Sequence, residues 1–436
     1  MKYNRIIQAL LSGPLVIRAA FMAAVLVMMS PFISTVSLAV TLSGDSSTYV
    51  QSREDADNQK ILGAYEYLNF SVQDPGKEVS FHFGGWLRYD LKTEEFGNKS
   101  NSDLQYGYLS YKSASNNAAV NLGRVMVFEG VAAERVDGMY ARTDLAKGFG
   151  VSAFGGNPVE TEINLPGNNI IYGGRLSHQI PGLYRIGVSA LKEEKNSEDF
   201  RKEEGIDLWL RPINKVELMG NSKYNEITKD WANHSYFLVL GPFARVRFNT
   251  EASVINYKDY FTGATSSAFS FQPSVLDQDE KVRILGEQIA FGLTDNLNIS
   301  LDYKGYSYSI AGDAKYYGGN IRYSVVKAGG AGLSLHKMDG DDDRLKYDEY
   351  RAYLFGKFGK ADVTLDALDV KYKEAINGVK DAYSVSLAAA YELAEKLKIG
   401  ADVEYSKNPD FEKDIRTFFK LIYSFDIGYG KRKEGV

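Results

Sequence analysis

The chain has 436 residues, with 44% hydrophobic residues, 30 Tyr, 23 Phe, 41 Gly, 10 Pro and no Cys. Its one long apolar run, near the N-terminus, excludes a bundle of helical membrane spans, each of which needs about 20 apolar residues. The missing cysteines exclude disulfides, thiolate metal sites and covalent haem attachment through C-x-x-C-H, and a net charge of −5 without a basic cluster excludes a nucleic-acid footprint.

Lys2, Arg5 and Arg18 precede an uncharged apolar run from Ala19 to Met29. Pro31 and small residues follow, and Ser37-Leu38-Ala39 fits a small-x-small cleavage site. This order predicts a secretory signal peptide over residues 1–39; the alternative, an uncleaved anchor, is disfavoured by the interruption at Pro31. Removing three cations from a net charge of −5 leaves the mature chain near −8. Residues 40–60 are polar and read as a flexible lead-in.

From residue 61 to 430 one theme repeats: segments of about ten alternating residues, joined by connections that are in turn short and long. Residues 61–73 read as a strand, although starting there would put the N-terminus on the long-loop side. In the clearest strand Val79, Phe81, Phe83, Leu87, Tyr89 and Leu91 oppose Ser80, His82, Trp86, Arg88, Asp90 and Lys92. A period of two places these sets on opposite faces of a sheet. Ala244, Val246, Phe248, Ala252 and Val254 oppose Arg245, Arg247, Asn249, Glu251 and Ser253 in the same way. Near the end, Leu397, Ile399, Ala401 and Val403 oppose Lys398, Asp402, Glu404 and Ser406. Ala388 to Lys398 could form a helix by composition, but both flanks alternate, so a hairpin turn is expected there. Residues 431–436 are a polar tail.

Tight turns are expected at 115–117, 147–148, 181–182, 213–214, 241–242, 295–296, 329–330, 359–360 and 395–396. Longer connections are expected at 93–102, 157–168, 193–204, 257–280, 339–345, 373–380 and 407–413. The fold class is therefore all-β: a transmembrane antiparallel up-and-down barrel of about 20 strands (range 16–22), with short periplasmic turns and longer extracellular loops. The many Tyr are read as interfacial belts.

Leu122-Gly123-Arg124, Phe128-Glu129-Gly130 and Val136-Asp137-Gly138 resemble the pattern of the Gram-negative outer-membrane porin family, in which a strand ending in Gly-Arg enters a loop and the next opens with Asp-Gly. Phe81 to Leu91 (FHFGGWLRYDL) is similar to the first strands of porin-like barrels from metal-respiring bacteria. The resemblance covers about the first quarter of the chain, and the terminal Phe of such barrels is missing. It implies passive diffusion of small solutes or ions through a water-filled pore. In some relatives it implies instead a sheath around a multihaem c-type cytochrome that carries electrons across the outer membrane. The expected location is the outer membrane, with lipid and lipopolysaccharide as surroundings and self-association left open.

The pore-lining candidates are Arg88, Asp90, Lys92, Arg124, Arg245, Arg247, Glu251, Asp402 and Glu404, because fixed lumen charges set ion preference. Taken singly, each is more often a wall-supporting ion pair, since structural ion-pair networks are common. Arg124 shares the parity of Val120 and Leu122, which would aim it at lipid at a cost of about 2–4 kcal/mol; a bulge near Gly123 or a rim position would remove the conflict. Glu160 and Glu162 lie in a loop that could fold inward as a constriction. Asp339 to Asp343 lacks the spacing of a Ca²⁺ loop and reads as a solvated tip. His82, His178, His234 and His336 have no metal-ligand spacing. No catalytic residue, metal or cofactor is assigned, and the protein is not expected to be an enzyme.

Overall fold

The structure, a computed structural model, describes residues 40–54, 60–92, 99–159, 169–261, 279–409 and 413–429. The expected signal peptide and tail lie outside the described residues, as do Glu160 and Glu162. Among these residues twenty-two strands run in chain order. The first seven are β1 Val40–Glu54, β2 Lys60–Gln73, β3 Val79–Asp90, β4 Ser100–Lys112, β5 Ala118–Glu129, β6 Ala132–Asp144 and β7 Phe149–Pro158. Next come β8 Ile170–Ile180, β9 Tyr184–Lys195, β10 Glu198–Ile213, β11 Val216–Asn225, β12 Asp230–Phe243, β13 Val246–Asn256 and β14 Lys281–Gly292. The last eight are β15 Leu297–Tyr308, β16 Asp313–Val325, β17 Gly329–Gly340, β18 Tyr347–Phe358, β19 Ala361–Ile376, β20 Val379–Ala394, β21 Leu397–Lys407 and β22 Asp414–Tyr429. One short helix, α1 Tyr257–Phe261, follows β13.

Each strand pairs antiparallel with its chain neighbours, and β1 closes on β22 from Val40↔Tyr429 to Ser52↔Thr417. Residues 40–54, expected as a flexible lead-in, are thus the closing strand. They lack the apolar alternation of the other strands, because Ser43, Gly44, Ser46, Ser47 and Thr48 stand where bulkier residues would. Counting from Val79 gives 20 strands, β3 to β22; β1 and β2 complete the 22 and return the first strand end to the short-turn side. The stretch 388–398 is a hairpin between β20 and β21, not a helix.

The period-two faces fall as their chemistry requires. Leu122, Leu176, Ile289, Leu301, Leu333, Leu387 and Val403 are among many large apolar side chains exposed on the outer surface. Polar side chains of alternate positions line the interior.

One rim carries connections of two to five residues. Two of its turns lie slightly off their expected positions: Ala244–Arg245, after 241–242, and 326–328, before 329–330. The other rim carries 91–99, 159–169, 257–280, 341–346 and 408–413, near the expected long connections. At 193–204 and 373–380, however, the strands continue and meet in two-residue turns. Asn196 and Ser197 have φ of 52° and 68°, and Asn377 and Gly378 have 49° and 78°. Positive φ at both central residues is the type I′ geometry that matches strand twist. The charged residues around 193–204 hid the strands because they pair across the ladder: Lys192 bridges Glu194 and Asp199, each at 2.8 Å.

Candidate functional site

Twenty-two strands about 4.8 Å apart and tilted about 40° enclose a backbone cylinder roughly 44 Å across. What lies inside therefore decides how much of that space is open.

The β5–β6 hairpin lies inside. β4 and β5 pair only from Lys112↔Ala119 to Gly107↔Arg124, whereas β5 and β6 stay paired to Glu129↔Ala132. Beyond Arg124 the hairpin leaves the wall and crosses the inner face of β7 to β10. Val131 N donates to Ser189 Oγ at 3.0 Å on β9. Arg201 on β10 pairs with Glu134, and Arg175 on β8 lies 3.8 Å from Glu129. Along the wall β6 and β10 would stand about 19 Å apart, four strand spacings, so only an inward fold brings them together. Ser189, Arg201 and Arg175 share the inward parity of their strands, opposite the exposed Val188, Ile206 and Leu176.

Apolar packing fixes the hairpin there. Val125, Val127, Ala132 and Val136 form a cluster with Phe154, Ile171 and Leu191. Around it lies a buried ion network: Arg201 faces Glu134, Glu193 at 3.8 Å and Glu203 at 3.4 Å, and Lys223 meets Glu203 at 2.9 Å. The bend is made at glycines in register on three strands, Gly123↔Gly138↔Gly156. Gly123 has φ +128°, and a Cβ on Gly138 would overlap the Gly155 carbonyl oxygen. Only glycine allows so close a backbone approach.

Folding the hairpin inward turns its outward-parity face to the lumen. That face carries Arg124, Met126, Phe128, Arg135 and Asp137. Arg124 donates from Nε and Nη2 to the two Asp137 oxygens, both at 2.7 Å, and from Nη1 to the Leu104 carbonyl at 2.9 Å. Arg135 bonds Asp103 of β4 at 2.5 Å. The parity conflict at Arg124 is resolved by the bend at Gly123: the strand face no longer looks outward. Phe128 is 71% exposed at the hairpin tip.

The other sequence candidates separate into three groups. Arg88 and Asp90 face inward but are buried and paired at 3.2 Å, so they brace the wall. Arg247, Glu251, Asp402 and Glu404 face inward on β13 and β21; Glu251 pairs with Lys304 at 2.7 Å and Asp402 with Lys420 at 3.8 Å. Lys92 and Arg245 lie at strand ends rather than within strands. Lys92 is exposed beyond the end of β3, and Arg245 sits in the β12–β13 turn, where it donates to the Leu293 carbonyl at 2.9 Å. Both lie just outside the strands whose alternation suggested them.

Sequence reasoning missed three parts of the interior. The hairpin is one; its signal is Val125-Met126-Val127-Phe128, apolar on both faces as in a strand covered on both sides. A polar ladder on β13 to β17 is the second: Asn249 donates to Gln288 at 2.7 Å, Gln288 to Asp302 at 2.5 Å, and His336 lies 3.3 Å from Asp302. The third is a set of tyrosines. Tyr49, Tyr65, Tyr67, Tyr106, Tyr108, Tyr306 and Tyr316 have inward parity, so the aromatic content is not all interfacial belt.

The acidic tip is tied into its own loop. Asp341 accepts from Asp313 N at 2.8 Å, Asp342 from Arg344 N at 2.8 Å, and Asp343 from Lys346 at 3.0 Å. Among the described residues no group of three or more His, Asp or Glu is placed to hold a metal.

No protein-family model matches the chain, and no curated protein matches it in sequence. Solved structures match in fold. The siderophore receptor PirA from Acinetobacter baumannii aligns with a TM-score of 0.56 at 11% identity, over 88% of this chain and 80% of that one. The ferric enterobactin receptor PfeA from Pseudomonas aeruginosa gives 0.54 at 10% identity, with the same coverage. OccD1 (OprD) gives 0.42 at 10% identity over 89% of this chain and 95% of that one, too low a score to bear on the fold. At these identities the likeness is one of fold, a large β-barrel.

Proposed function

We propose that the protein is an outer-membrane channel of porin type, which lets small solutes or ions diffuse through a lumen narrowed by the β5–β6 hairpin. The observation that carries this reading is the division of the wall. The outer surface is apolar, with Leu122 58%, Leu301 63% and Leu333 58% exposed. Contiguous apolar surface on this scale belongs against lipid. The inner surface bears Arg124, Arg247, Glu251, Asp402 and Glu404, charges of both signs, along a wet path.

Among the described residues the hairpin covers the inner face of β7 to β10 and leaves the face of β22, β1 and β2 open. Arg124 and Arg135 against Asp103 and Asp137 make its lumen side nearly neutral, which favours weak charge selectivity. Neither the fold nor the comparisons support the alternative of a sheath around a multihaem cytochrome.

Proteoliposomes of the purified chain test the reading. Swelling should be fast in small neutral solutes and fall with solute size. Vesicles that swell no faster than protein-free ones in every solute would refute it.

A further inference from the structure

The inner wall at the closure seam is aromatic and holds a recess. β22, β1 and β2 together line a recess of about 690 Å³, within the roughly 300–1,000 Å³ usual for small-molecule sites. Tyr49 stacks on Phe418 at 5.0 Å and meets Tyr67 edge-on at 5.2 Å, so one aromatic strip runs across three strands. Ile422 extends its apolar character. Asn69 is held between the Tyr106 hydroxyl at 3.3 Å and Asp45 at 3.5 Å. The side-chain amide of Gln51 and the hydroxyls of Tyr49, Tyr65 and Tyr67 make no hydrogen bond to protein among the described residues. Among its lining residues Asp45 and Lys420 carry charge, one of each sign, and Lys420 also lies 3.8 Å from Asp402.

We propose that this recess is a binding subsite for a saccharide; the inference rests on the channel reading above. A wall that merely stays wet has no use for an apolar ring such as Phe418, because apolar surface left in water is unfavourable. A ligand that uses the strip must present an apolar face to the rings and hydrogen-bonding groups around its edge. A sugar ring does both: its C–H face lies on aromatic carbon, and its hydroxyls meet Gln51, Asn69, Asp45, Lys420 and the phenols. Balanced charge favours a neutral solute over an acid or an amine. A flat aromatic solute would fit the strip but leave the amide and hydroxyl groups without partners, a recurrent cost in polar sites.

The test is single-channel recording on the full chain with maltohexaose, against polyethylene glycol of matched size. Maltohexaose should block the current reversibly at millimolar concentration, and the glycol should not. Phe418→Ala and Tyr49→Leu should each weaken the block about tenfold or more. Tyr67→Phe, which keeps the ring and the fold, should weaken it several-fold. Calorimetric titration in detergent reads the same binding without current. Sugar binding in a silent barrel would therefore sink the channel reading alone, while an ohmic channel that binds no sugar would sink this one. Equal effects of sugar and glycol, unchanged block in all three variants, or block by benzoate but not by sugar would each overturn the proposal.

Discussion

Replacing Arg201 by Met tests whether the hairpin is held in the lumen by the contacts described. The Arg201 side chain is 8% exposed, and Glu134, Glu193 and Glu203 are 19%, 6% and 1% exposed. Removing the cation leaves three carboxylates at one place, opposed by Lys223 at 2.9 Å from Glu203 and Lys195 at 3.8 Å from Glu193. Breaking a buried pair from one side costs about 3–5 kcal/mol. The apolar part of the dock rests mainly on Val125, Val127 and Val136, each 1% exposed or less. At about 1.5 kcal/mol per buried valine, that part contributes roughly 4–5 kcal/mol. The two effects are of one size, so R201M should bring docked and undocked hairpins close to balance, a shift of about two to four decades. Single-channel recording should show a second, larger conductance level and flicker between the two. Glu134→Gln should do less, since Arg201 keeps Glu193 and Glu203. If folded R201M gave the single level and low noise of the parent, the assigned role of the network would be wrong.

Gly138→Val should block the bend, and the variant should lose the heat-modifiable folded band on gels run without boiling. Leu387→Arg places a cation on the outer face and should weaken folding into vesicles by about 2–4 kcal/mol; Ala388→Arg, one residue on and inward, should cost far less, and equal costs would reverse the assigned faces. Glu280, in the loop before β14, is held below the usual carboxylate range: burial opposes its ionisation, but the Ile310 and Ala311 N–H groups and the Ser309 hydroxyl donate to it and win. Its anchoring is therefore full above the unfolded value of about 4.3 and fades as pH falls through the lower folded value. Hydrogen exchange of the Ile310 and Ala311 amides, corrected for intrinsic rate, should accelerate over that acid range, and Glu280→Gln should remove the pH dependence.

The wall was legible because, from Val79 onward, the strands that stay in it put mainly apolar residues outside and mainly polar ones inside, and period two records that directly. β1 was not, since small polar residues at Gly44, Ser46 and Thr48 erase the alternation while leaving the backbone free to pair. The tight turns at Asn196-Ser197 and Asn377-Gly378 were hidden by flanking charges, although Asn-Gly is itself a hairpin signal. Gly123-Arg124 and Asp137-Gly138 were visible as a motif. Their physical meaning, a glycine bend and a paired arginine, needed the long-range contacts of β6 with β10. Parity assigned Arg124 to the outside because parity assumes a strand that stays in the wall.

Conductance of the purified full chain across a planar lipid bilayer tests the central claim most directly. A water-filled barrel narrowed by its own hairpin should insert in steps and pass ohmic current, with weak preference between cations and anions. A barrel that inserts yet stays ion-tight at every voltage would contradict the account.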